Sequence, residues 1–289
     1  MRKLDALAME YSRFSNLNHQ YYNCPMGESF QFGDKRFQFG DNWSHFLPVI
    51  DESHITEAKA RLTELLGDIK GKTFLDIGSG SGIHSLAAIR LGASHVVSFD
   101  FDPKCVACTM EMKRRFAPEA NWVIQQGSAL DSEYLNSLGK FNIVYSWGVL
   151  HHTGDMWAAL DLITIPAKET IAICIYKDQG ALSLVWRRLK KLYVEHPISR
   201  PAVVFAALAT IWGPKLLLLP HRLIPDWKNW KKKRGMSPWH DVIDWAGGYP
   251  FEFATDSQLI TFYLDRGLSL RVVRPFGRII QMNEYVFAR

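Results

Sequence analysis

The chain has 289 residues, of which 47% are hydrophobic and 22% charged, and its formal net charge is +5. This composition excludes fibrous, repetitive and disordered chains and permits one domain with a sizeable core. The N-terminus has no apolar core of signal-peptide length, and no apolar run reaches the roughly 18 to 20 uninterrupted residues of a spanning helix. We therefore expect a cytoplasmic protein.

From residue 73 onwards, short β-rich segments alternate with helical ones. Strict alternation predicts a parallel sheet with helices on both faces. The last two strands are joined by a few residues only, and such a short connection requires antiparallel pairing. We therefore predict an α/β, Rossmann-like, doubly wound sheet that ends in an antiparallel hairpin. The predicted strands are residues 73–77, 95–100, 121–126, 141–147, 169–176, 268–276 and 281–289.

Two regions lie outside this alternation. Residues 1–70 precede the sheet and are predicted to form an N-terminal cap that contains the helix ITEAKARLTELLG. Residues 178–255 are predicted to be a helical insertion after the fifth strand, acting as a lid or a substrate-binding region. The core is then residues 71–177 together with 256–289.

The segment Phe74-Leu75-Asp76-Ile77-Gly78-Ser79-Gly80-Ser81-Gly82 follows the first strand and opens a helix. Glycines allow positive φ and close approach of a ligand, and the helix N-terminus offers free N–H groups. The glycines fall at every second position, so the G-x-G-x-x-G pattern for a dinucleotide is absent. Asp76 suits a ligand with a positive amino group, and Asp100, at the end of the second strand, is placed to accept hydrogen bonds from a ribose.

The chain resembles the class I S-adenosylmethionine-dependent methyltransferases in DIGSGSG, in the acid of SFDFD and in the later QGSALD. The terminal hairpin is also similar to that family, and the resemblance implies the strand order 3-2-1-4-5-7-6 with strand 7 antiparallel. The segments RFQFGDNW, SWGVLHHTGDMW, MSPWHDVIDWAGGYPFE and NEYVF resemble a bacterial methyltransferase subgroup. S-adenosylmethionine would be the cofactor and S-adenosylhomocysteine its product.

The resemblance also implies roles for individual residues. Gly78, Gly80 and Gly82 would border the methionine and ribose parts of the cofactor, and Asp100 would hold the ribose. The adenine would be flanked by Phe101 and lined by Ser128 and Ala129, and the sulfonium would lie beside Ser146 and Trp147.

The insertion contains the most apolar stretch, PAVVFAALATIWGPKLLLLP, which Gly213, Pro214 and Lys215 are expected to break into two short pieces. A basic run with two tryptophans follows at residues 227–234, and a second basic cluster lies at residues 187–191. Apolar, aromatic and basic residues adjoin in this way in interfacial helices. The alternatives are a lid, a contact with a membrane surface or a lipid-linked substrate, a dimer contact, and plain core packing.

The stretch from Met236 to Pro250 is dense in Trp, His, Asp, Gly and Pro, and it is predicted to form a pocket-shaping loop or a rigid surface turn. The cap stretch RFQFGDNWSHF has a similar composition. Tyr21, Tyr22 and Trp43 are candidates to close over a ligand, or to serve as packing.

His151 and His152 follow the fourth strand, where ligands bind in open α/β folds. Adjacent residues in a turn point in different directions, so we expect one of the pair to face the cleft. His152 is preferred over His151 as a general base, and a purely structural turn is the alternative. His240 and Asp241 form a second candidate acid–base pair. We predict no metal site, because no acid-rich cluster adjoins the histidines and the Cys105/Cys108 pair lacks further ligands nearby.

The leading hypothesis is a methyltransferase that acts on an oxygen of a small polar molecule, such as a hydroxyl or carboxylate of a sugar, a glycan or a secondary metabolite. The alternatives are an RNA methyltransferase, which the basic clusters motivate, and a non-catalytic cofactor-binding or scaffold protein. Nucleic acid is disfavoured because no RNA-binding module is evident, and strand four ends in SWGVLHH. The acceptor and the oligomeric state are left open.

Overall fold

The computed structural model describes residues 35–234, 238–276 and 281–289. The strands are β1 (Thr73–Ile77), β2 (His95–Asp100), β3 (Trp122–Gln126), β4 (Phe141–Trp147), β5 (Ala167–Tyr176), β6 (Ser269–Phe276) and β7 (Met282–Ala288). The helices are α1 (Phe39–Phe46), α2 (Glu52–Leu66), α3 (Ile83–Arg90), α4 (Pro103–Phe116), α5 (Ser132–Ser137), α6 (Met156–Leu162), α7 (Ala181–Glu195), α8 (Arg200–Leu218), α9 (Pro220–Arg234), α10 (Pro238–Gly247) and α11 (Asp256–Leu264).

In the described part of the chain, the strands form a seven-stranded sheet in the order β3-β2-β1-β4-β5-β7-β6. The first five strands pair in parallel, and β7 pairs antiparallel with both β5 and β6. The predicted fold class, strand order and antiparallel seventh strand are therefore confirmed.

The sheet separates two layers of helices because successive side chains of a strand point to opposite faces. On one face, Leu75 packs in a cluster with buried residues of α5, α6 and α11. On the other, its neighbour Phe74 packs with buried residues of α2, α3 and α4. The helices of the insertion form a third cluster around Trp186 and Trp245.

The long apolar stretch of the insertion is one helix, α8, with Pro214 inside it, and the predicted break into two pieces is wrong. A proline removes one main-chain hydrogen bond, and here the preceding turns are held by Val203, Val204 and Ala207, which are buried in the third cluster. Together with the turn before it, this helix is long and apolar enough to cross a membrane, although no membrane is part of the structure.

The segment that follows residue 237 is also a helix, α10, and the predicted loop or turn is wrong there. Val242, Trp245 and Ala246 are buried at a spacing of three and four residues, which is the period of one helix face. Pro238 stands at the first helical position and Gly247 at the last, as at many helix ends. These start and stop signals are present in the sequence, where the density of Trp, Asp, Gly and Pro favours a turn instead.

Candidate active site

The glycine loop between β1 and α3 requires glycine at its alternating positions. Gly78, Gly80 and Gly82 have φ angles of +76°, +55° and +79°, which L-residues with side chains rarely adopt. A Cβ atom on Gly78 would lie 2.4 Å from Cγ1 of Val149, and one on Gly80 would lie 3.2 Å from the indole of Trp43. The loop is therefore a bare main-chain surface between β1, the turn after β4 and the cap helix α1.

Asp100 ends β2 beside this loop. One carboxylate oxygen accepts a hydrogen bond from the Gly80 N–H at 2.9 Å, and the other accepts one from the Asp102 N–H at 3.0 Å. Burial is the largest effect on its carboxyl group and raises its pKa. Each carboxylate oxygen retains further acceptor capacity, so Asp100 can also accept from ribose hydroxyl groups.

Asp76 is buried beneath the loop. The Ser85 hydroxyl donates to its Oδ2 and is linked to the Ser98 hydroxyl at 2.6 Å, which in turn accepts from the Trp122 indole N–H at 2.7 Å. Burial raises the pKa of Asp76 to about 7, while the hydrogen bond from Ser85 opposes that rise. The carboxyl group can therefore change its charge near neutral pH in response to a nearby cation.

The residues predicted to surround adenine lie at the ends of β2 and β3. The ring of Phe101 is exposed, and the Arg36 guanidinium carbon lies 5.4 Å from its centroid. The Ser128 hydroxyl accepts from the Leu130 N–H at 3.1 Å, and Ala129 is buried. The exposed face of Phe101 can therefore stack on a planar group.

Ser146 and Trp147 end β4, as predicted, but their polar atoms have partners within the protein. The buried Ser146 hydroxyl donates to the Ile77 carbonyl at 3.0 Å and joins the ends of β4 and β1. The Trp147 indole N–H donates to the buried carboxylate of Glu284 at 2.8 Å. Both residues therefore shape the edge of the sheet through contacts within the protein.

The cap helix α1 lies across the site and contacts the glycine loop, the turn after β2 and the helix α10. The Gly40 N–H donates to Asp102 at 2.9 Å, and Trp43 covers Gly80. The Asn42 amide donates to Asp244 of α10 at 2.9 Å. Trp43 therefore lies on the glycine loop, whereas Tyr21 and Tyr22 lie outside the described residues.

The two histidines occupy different environments in the 3₁₀ turn Leu150–His152. His151 is fully buried, neither of its ring nitrogens has a hydrogen-bond partner, and its ring lies 4.2 Å from that of Tyr176. His152 is half-buried, and its Nδ1 lies 2.5 Å from the Pro250 carbonyl oxygen. A carbonyl only accepts, so Nδ1 carries the proton, and the lone pair of the neutral ring is on Nε2.

The end of the insertion holds this turn in place. The main-chain N–H of Glu252 donates to the His151 carbonyl at 2.9 Å, and its carboxylate accepts from the N–H groups of Gly154 and Met156 at 3.0 Å. Burial raises the pKa of Glu252 to about 7. Sequence inspection missed this residue, although it follows the Gly-Gly-Tyr-Pro-Phe stretch directly.

The second candidate acid–base pair lies elsewhere on the insertion. The Asp241 carboxylate accepts from the indole N–H of Trp230 at 3.2 Å, which ties α10 to α9. His240 belongs to the same helix, but its side chain is outside the described part of the structure. The observed contact of Asp241 is therefore with Trp230 of α9.

Lys190 of α7 is a further residue that sequence inspection missed. It is fully buried, its ammonium group donates to the Trp245 carbonyl, and its Nζ lies 4.7 and 4.8 Å from the ring centroids of Trp245 and Phe251. Burial lowers its pKa to about 7, and its charge in turn lowers the pKa of both histidines. The histidine turn therefore lies within the electrostatic reach of a buried lysine.

The two glycines after Ala246 permit close packing between the cap, the insertion and the histidine turn. A Cβ atom on Gly247 would lie 2.2 Å from two ring carbons of Phe37, and one on Gly248 would lie 3.1 Å from Cε1 of His152. We expect Gly247→Ala to reduce the free energy of unfolding by about 1 to 3 kcal/mol, because the buried contact is overpacked. Urea unfolding measures this change.

The matched control is Gly139→Ala, because a Cβ atom on Gly139 would meet nothing within 4 Å. Its φ of +80° predicts a backbone penalty without overpacking, on the order of 1 kcal/mol. Equal destabilisation of the two variants, with an unchanged environment of Phe37, would contradict the close packing described for Gly247.

Comparison with known proteins agrees with this arrangement. The family model of ribosomal protein L11 methyltransferase (PrmA) matches residues 60–144. The ribosomal protein L11 methyltransferase of Xanthomonas oryzae pv. oryzae (strain MAFF 311018) is 43% identical over 58 residues, which are 20% of this chain and 18% of that protein. The chain thus covers less than a fifth of the length of this relative.

Two solved structures are similar over most of the chain. Magnesium protoporphyrin IX methyltransferase (ChlM) from Synechocystis PCC 6803 with bound SAH has a TM-score of 0.52 at 15% identity, covering 86% of this chain and 93% of that chain. An O-methyltransferase family protein from Burkholderia thailandensis has a TM-score of 0.51 at 12% identity, and the match covers 81% of this chain and 55% of that chain. This chain therefore has the fold of the class I S-adenosylmethionine-dependent methyltransferases, and it shares sequence with PrmA from α2 to β4.

Proposed function

We propose that this chain is a methyltransferase that transfers a methyl group from S-adenosylmethionine to an oxygen of a small polar acceptor. The observation that carries the proposal is the joint placement of the glycine loop and the histidine turn beneath α1. Val149 of that turn packs on Gly78, and the ring of His152 lies 4.9 Å from that of Phe39 in the same helix that covers Gly80. A methyl donor and its acceptor would meet between these elements.

The residues present fit the cofactor. The bare main chain of the glycine loop, the free acceptor capacity of Asp100 and the exposed ring of Phe101 would hold its methionine, ribose and adenine parts in turn. When bound, S-adenosylmethionine supplies an activated methyl group on a cationic sulfur. The protein is then required chiefly to align the acceptor and to accept its proton.

The tautomer of His152 suits proton acceptance. With Nδ1–H donated to the Pro250 carbonyl, Nε2 can take the proton of an acceptor hydroxyl as the new C–O bond forms. Transfer of the methyl group from a bound cofactor would remove the positive charge of the sulfur, and the imidazole of His152 would gain one with the proton of the acceptor. The site therefore holds one cationic group before and after the transfer, which limits the cost of protonating a buried ring.

The match to PrmA does not supply the acceptor. It ends at residue 144, before the histidine turn and before the whole insertion. These are the parts that border the acceptor side of the proposed site. Methylation of a protein, as in the name ribosomal protein L11 methyltransferase, and methylation of RNA are therefore alternative outcomes of the experiment described next.

The function can be tested in two steps with the full chain. Calorimetry with S-adenosylhomocysteine should show binding to one site. Radiolabelled S-adenosylmethionine is then incubated with a bacterial extract divided into small-molecule, RNA and protein fractions, and label is expected among the small molecules, either free or attached to lipid. Label only in RNA or only in protein would overturn the acceptor class, and binding without any labelled product would favour a non-catalytic cofactor-binding protein.

Asp76 provides a test of the cofactor site through pH. Its pKa of about 7 should fall when the amino group of the cofactor approaches, so binding should release a proton. We expect the affinity for S-adenosylhomocysteine to rise with pH by up to about tenfold per unit below pH 7 and to level off above it. Calorimetry in buffers of different ionisation enthalpy measures both quantities.

Two variants isolate the carboxyl group of Asp76. Asp76→Asn should bind more weakly and lose the pH dependence. Ser85→Ala removes a hydrogen bond that lowers the pKa of Asp76, so it should move the midpoint to higher pH. Parallel pH profiles for the wild type and Asp76→Asn would exclude Asp76 as the titrating group.

A further inference from the structure

The hairpin of α8 and α9 presents an apolar tip of four consecutive leucines to solvent. Leu217 and Leu218 are 82% and 78% exposed, and the neighbouring Leu216 and Leu219 are also exposed. Ile224, one turn into α9, is exposed as well. A contiguous exposed apolar patch of this kind marks an interaction surface more often than scattered single residues do.

One side of α8 packs against other helices of the protein. Val203, Val204, Ala207 and Trp212 are buried in the third hydrophobic cluster, against α7 and α10. A helix held in this way cannot be surrounded by lipid along its length, even though its length and composition are sufficient to cross a bilayer. The exposed leucines at its C-terminal end are therefore suited to shallow insertion and not to spanning.

The charged residues of the hairpin indicate which kind of surface its tip can bind. Residues 197–234 contain eight lysines and arginines and one acidic residue, Asp226. The charge of Asp226 is compensated by Lys215, whose Nζ lies 2.7 Å from its carboxylate. Arg222, close to the tip, and Lys228, further along α9, have exposed side chains. The segment thus carries an excess of positive charge in its sequence and exposes basic side chains on the tip side of α9, which is complementary to anionic lipid headgroups.

A groove between α8 and α9 extends the apolar surface behind the tip. It has a volume of about 560 Å³, and its walls include Phe205, Trp212, Leu223 and Trp227. Lys228 lies at its edge. Tryptophan and lysine side chains beside an apolar surface are the arrangement expected where a protein meets the interface of a bilayer.

We propose that the α8–α9 hairpin docks this protein on the surface of an anionic phospholipid bilayer, with the four leucines inserted and the basic residues against the headgroups. The docking surface is formed by the insertion and does not include the glycine loop or the histidine turn. The inference consequently goes beyond the methyl-transfer function and does not depend on it. If the acceptor is lipid-linked, docking would bring the site to it.

Flotation of the full chain with vesicles tests the proposal. The chain should float with vesicles of phosphatidylcholine and phosphatidylglycerol, bind more weakly to phosphatidylcholine alone, and lose affinity as salt is raised. The double variant Leu217→Glu/Leu218→Glu should lose roughly tenfold or more in affinity, because two exposed leucines would no longer be buried in lipid. Lys228→Gln should lose up to about fivefold, and only with the anionic vesicles.

Leu264→Glu is the matched control, because Leu264 is an exposed leucine on α11 of the core. It should bind vesicles like the wild type. All variants change exposed side chains, and S-adenosylhomocysteine binding in each reports that the cofactor site is intact, separately from vesicle binding. Wild-type flotation of the double variant would overturn the proposal. The proposal would also be overturned if the wild type did not bind vesicles, formed a dimer in sedimentation experiments, and lost that dimer in the double variant. That result would assign the tip to self-association.

Discussion

His152→Ala should reduce the rate of methyl transfer by about 10² to 10⁴, while S-adenosylhomocysteine still binds within about twofold of the wild-type affinity. The expected loss follows from the position of the ring at the edge of the acceptor side, with Nδ1–H held by the Pro250 carbonyl and Nε2 left to accept a proton. Single-turnover transfer of labelled methyl groups to the acceptor identified in the extract measures the effect. Turnover near the wild-type rate would exclude His152 as the base.

The pH profile provides a second readout for His152. Burial lowers its pKa to about 3, with a smaller contribution from the charge of Lys190. The ring is therefore neutral and able to accept a proton throughout the neutral range, and its own titration should reduce the rate only below about pH 4. A titration of the rate near pH 7 would have to come from another group, and Asp76, Lys190 and Glu252 all have pKa values of about 7.

Two variants distinguish proton acceptance from support of the turn. His152→Asn retains an amide that can donate to the Pro250 carbonyl, but it lacks a basic nitrogen, so it should be as slow as His152→Ala with a smaller loss of stability. His151→Phe keeps an aromatic ring against Tyr176 and removes two buried nitrogens that have no hydrogen-bond partner. It should therefore retain methyl transfer and unfold at a higher urea concentration.

The fold class could be predicted because its signals are local, whereas the strand order followed from the resemblance to a known family. Alternation of strand and helix determines a parallel sheet, a short connection determines the terminal hairpin, and the glycine spacing marks the loop after β1. The helix α10 was missed because its aromatic and polar residues suggested a turn, although Val242, Trp245 and Ala246 follow the period of a helix.

The partners within the site could be predicted only in part. Asp76 lies in β1, Asp100 ends β2 and the histidine pair follows β4, and the carboxyl ends of these parallel strands must meet at one edge of the sheet. Pro250 and Glu252, which hold the histidine turn, are about 100 residues away in sequence, and no local pattern pairs the two segments. Lys190 belongs to the basic cluster at residues 187–191 of the sequence, and its burial follows from the packing of α7 against α10, which no local pattern shows.

Replacing Lys190 with methionine should stabilise the protein at pH 7 by about 3 kcal/mol. Lowering the pKa of a lysine from 10.5 to about 7 means that the folded protein penalises the charged form by on the order of 5 kcal/mol. The substitution relieves most of that penalty, but it leaves the Trp245 carbonyl without its donor, which costs about 1 to 2 kcal/mol. Urea unfolding at several pH values measures the balance.

The sign of the pH dependence identifies the cause of this stabilisation. Between pH 7 and 10.5 the unfolded chain binds a proton on Lys190 that the folded chain lacks, so wild-type stability should rise with pH across this window and be independent of this group below it. Lys190→Met should lack the rise, and its stability advantage over the wild type should disappear towards pH 10.5.

Lys191→Met is the control, because it makes the same change at a half-buried position on the same helix and should alter the free energy of unfolding by less than about 0.5 kcal/mol. Because the charge of Lys190 lowers the pKa of His152, the Lys190→Met variant should also raise that pKa, which NMR titration of the ring can detect. Parallel stability curves for the wild type and Lys190→Met, or a less stable variant at pH 7, would show instead that the lysine is compensated by its carbonyl and aromatic contacts.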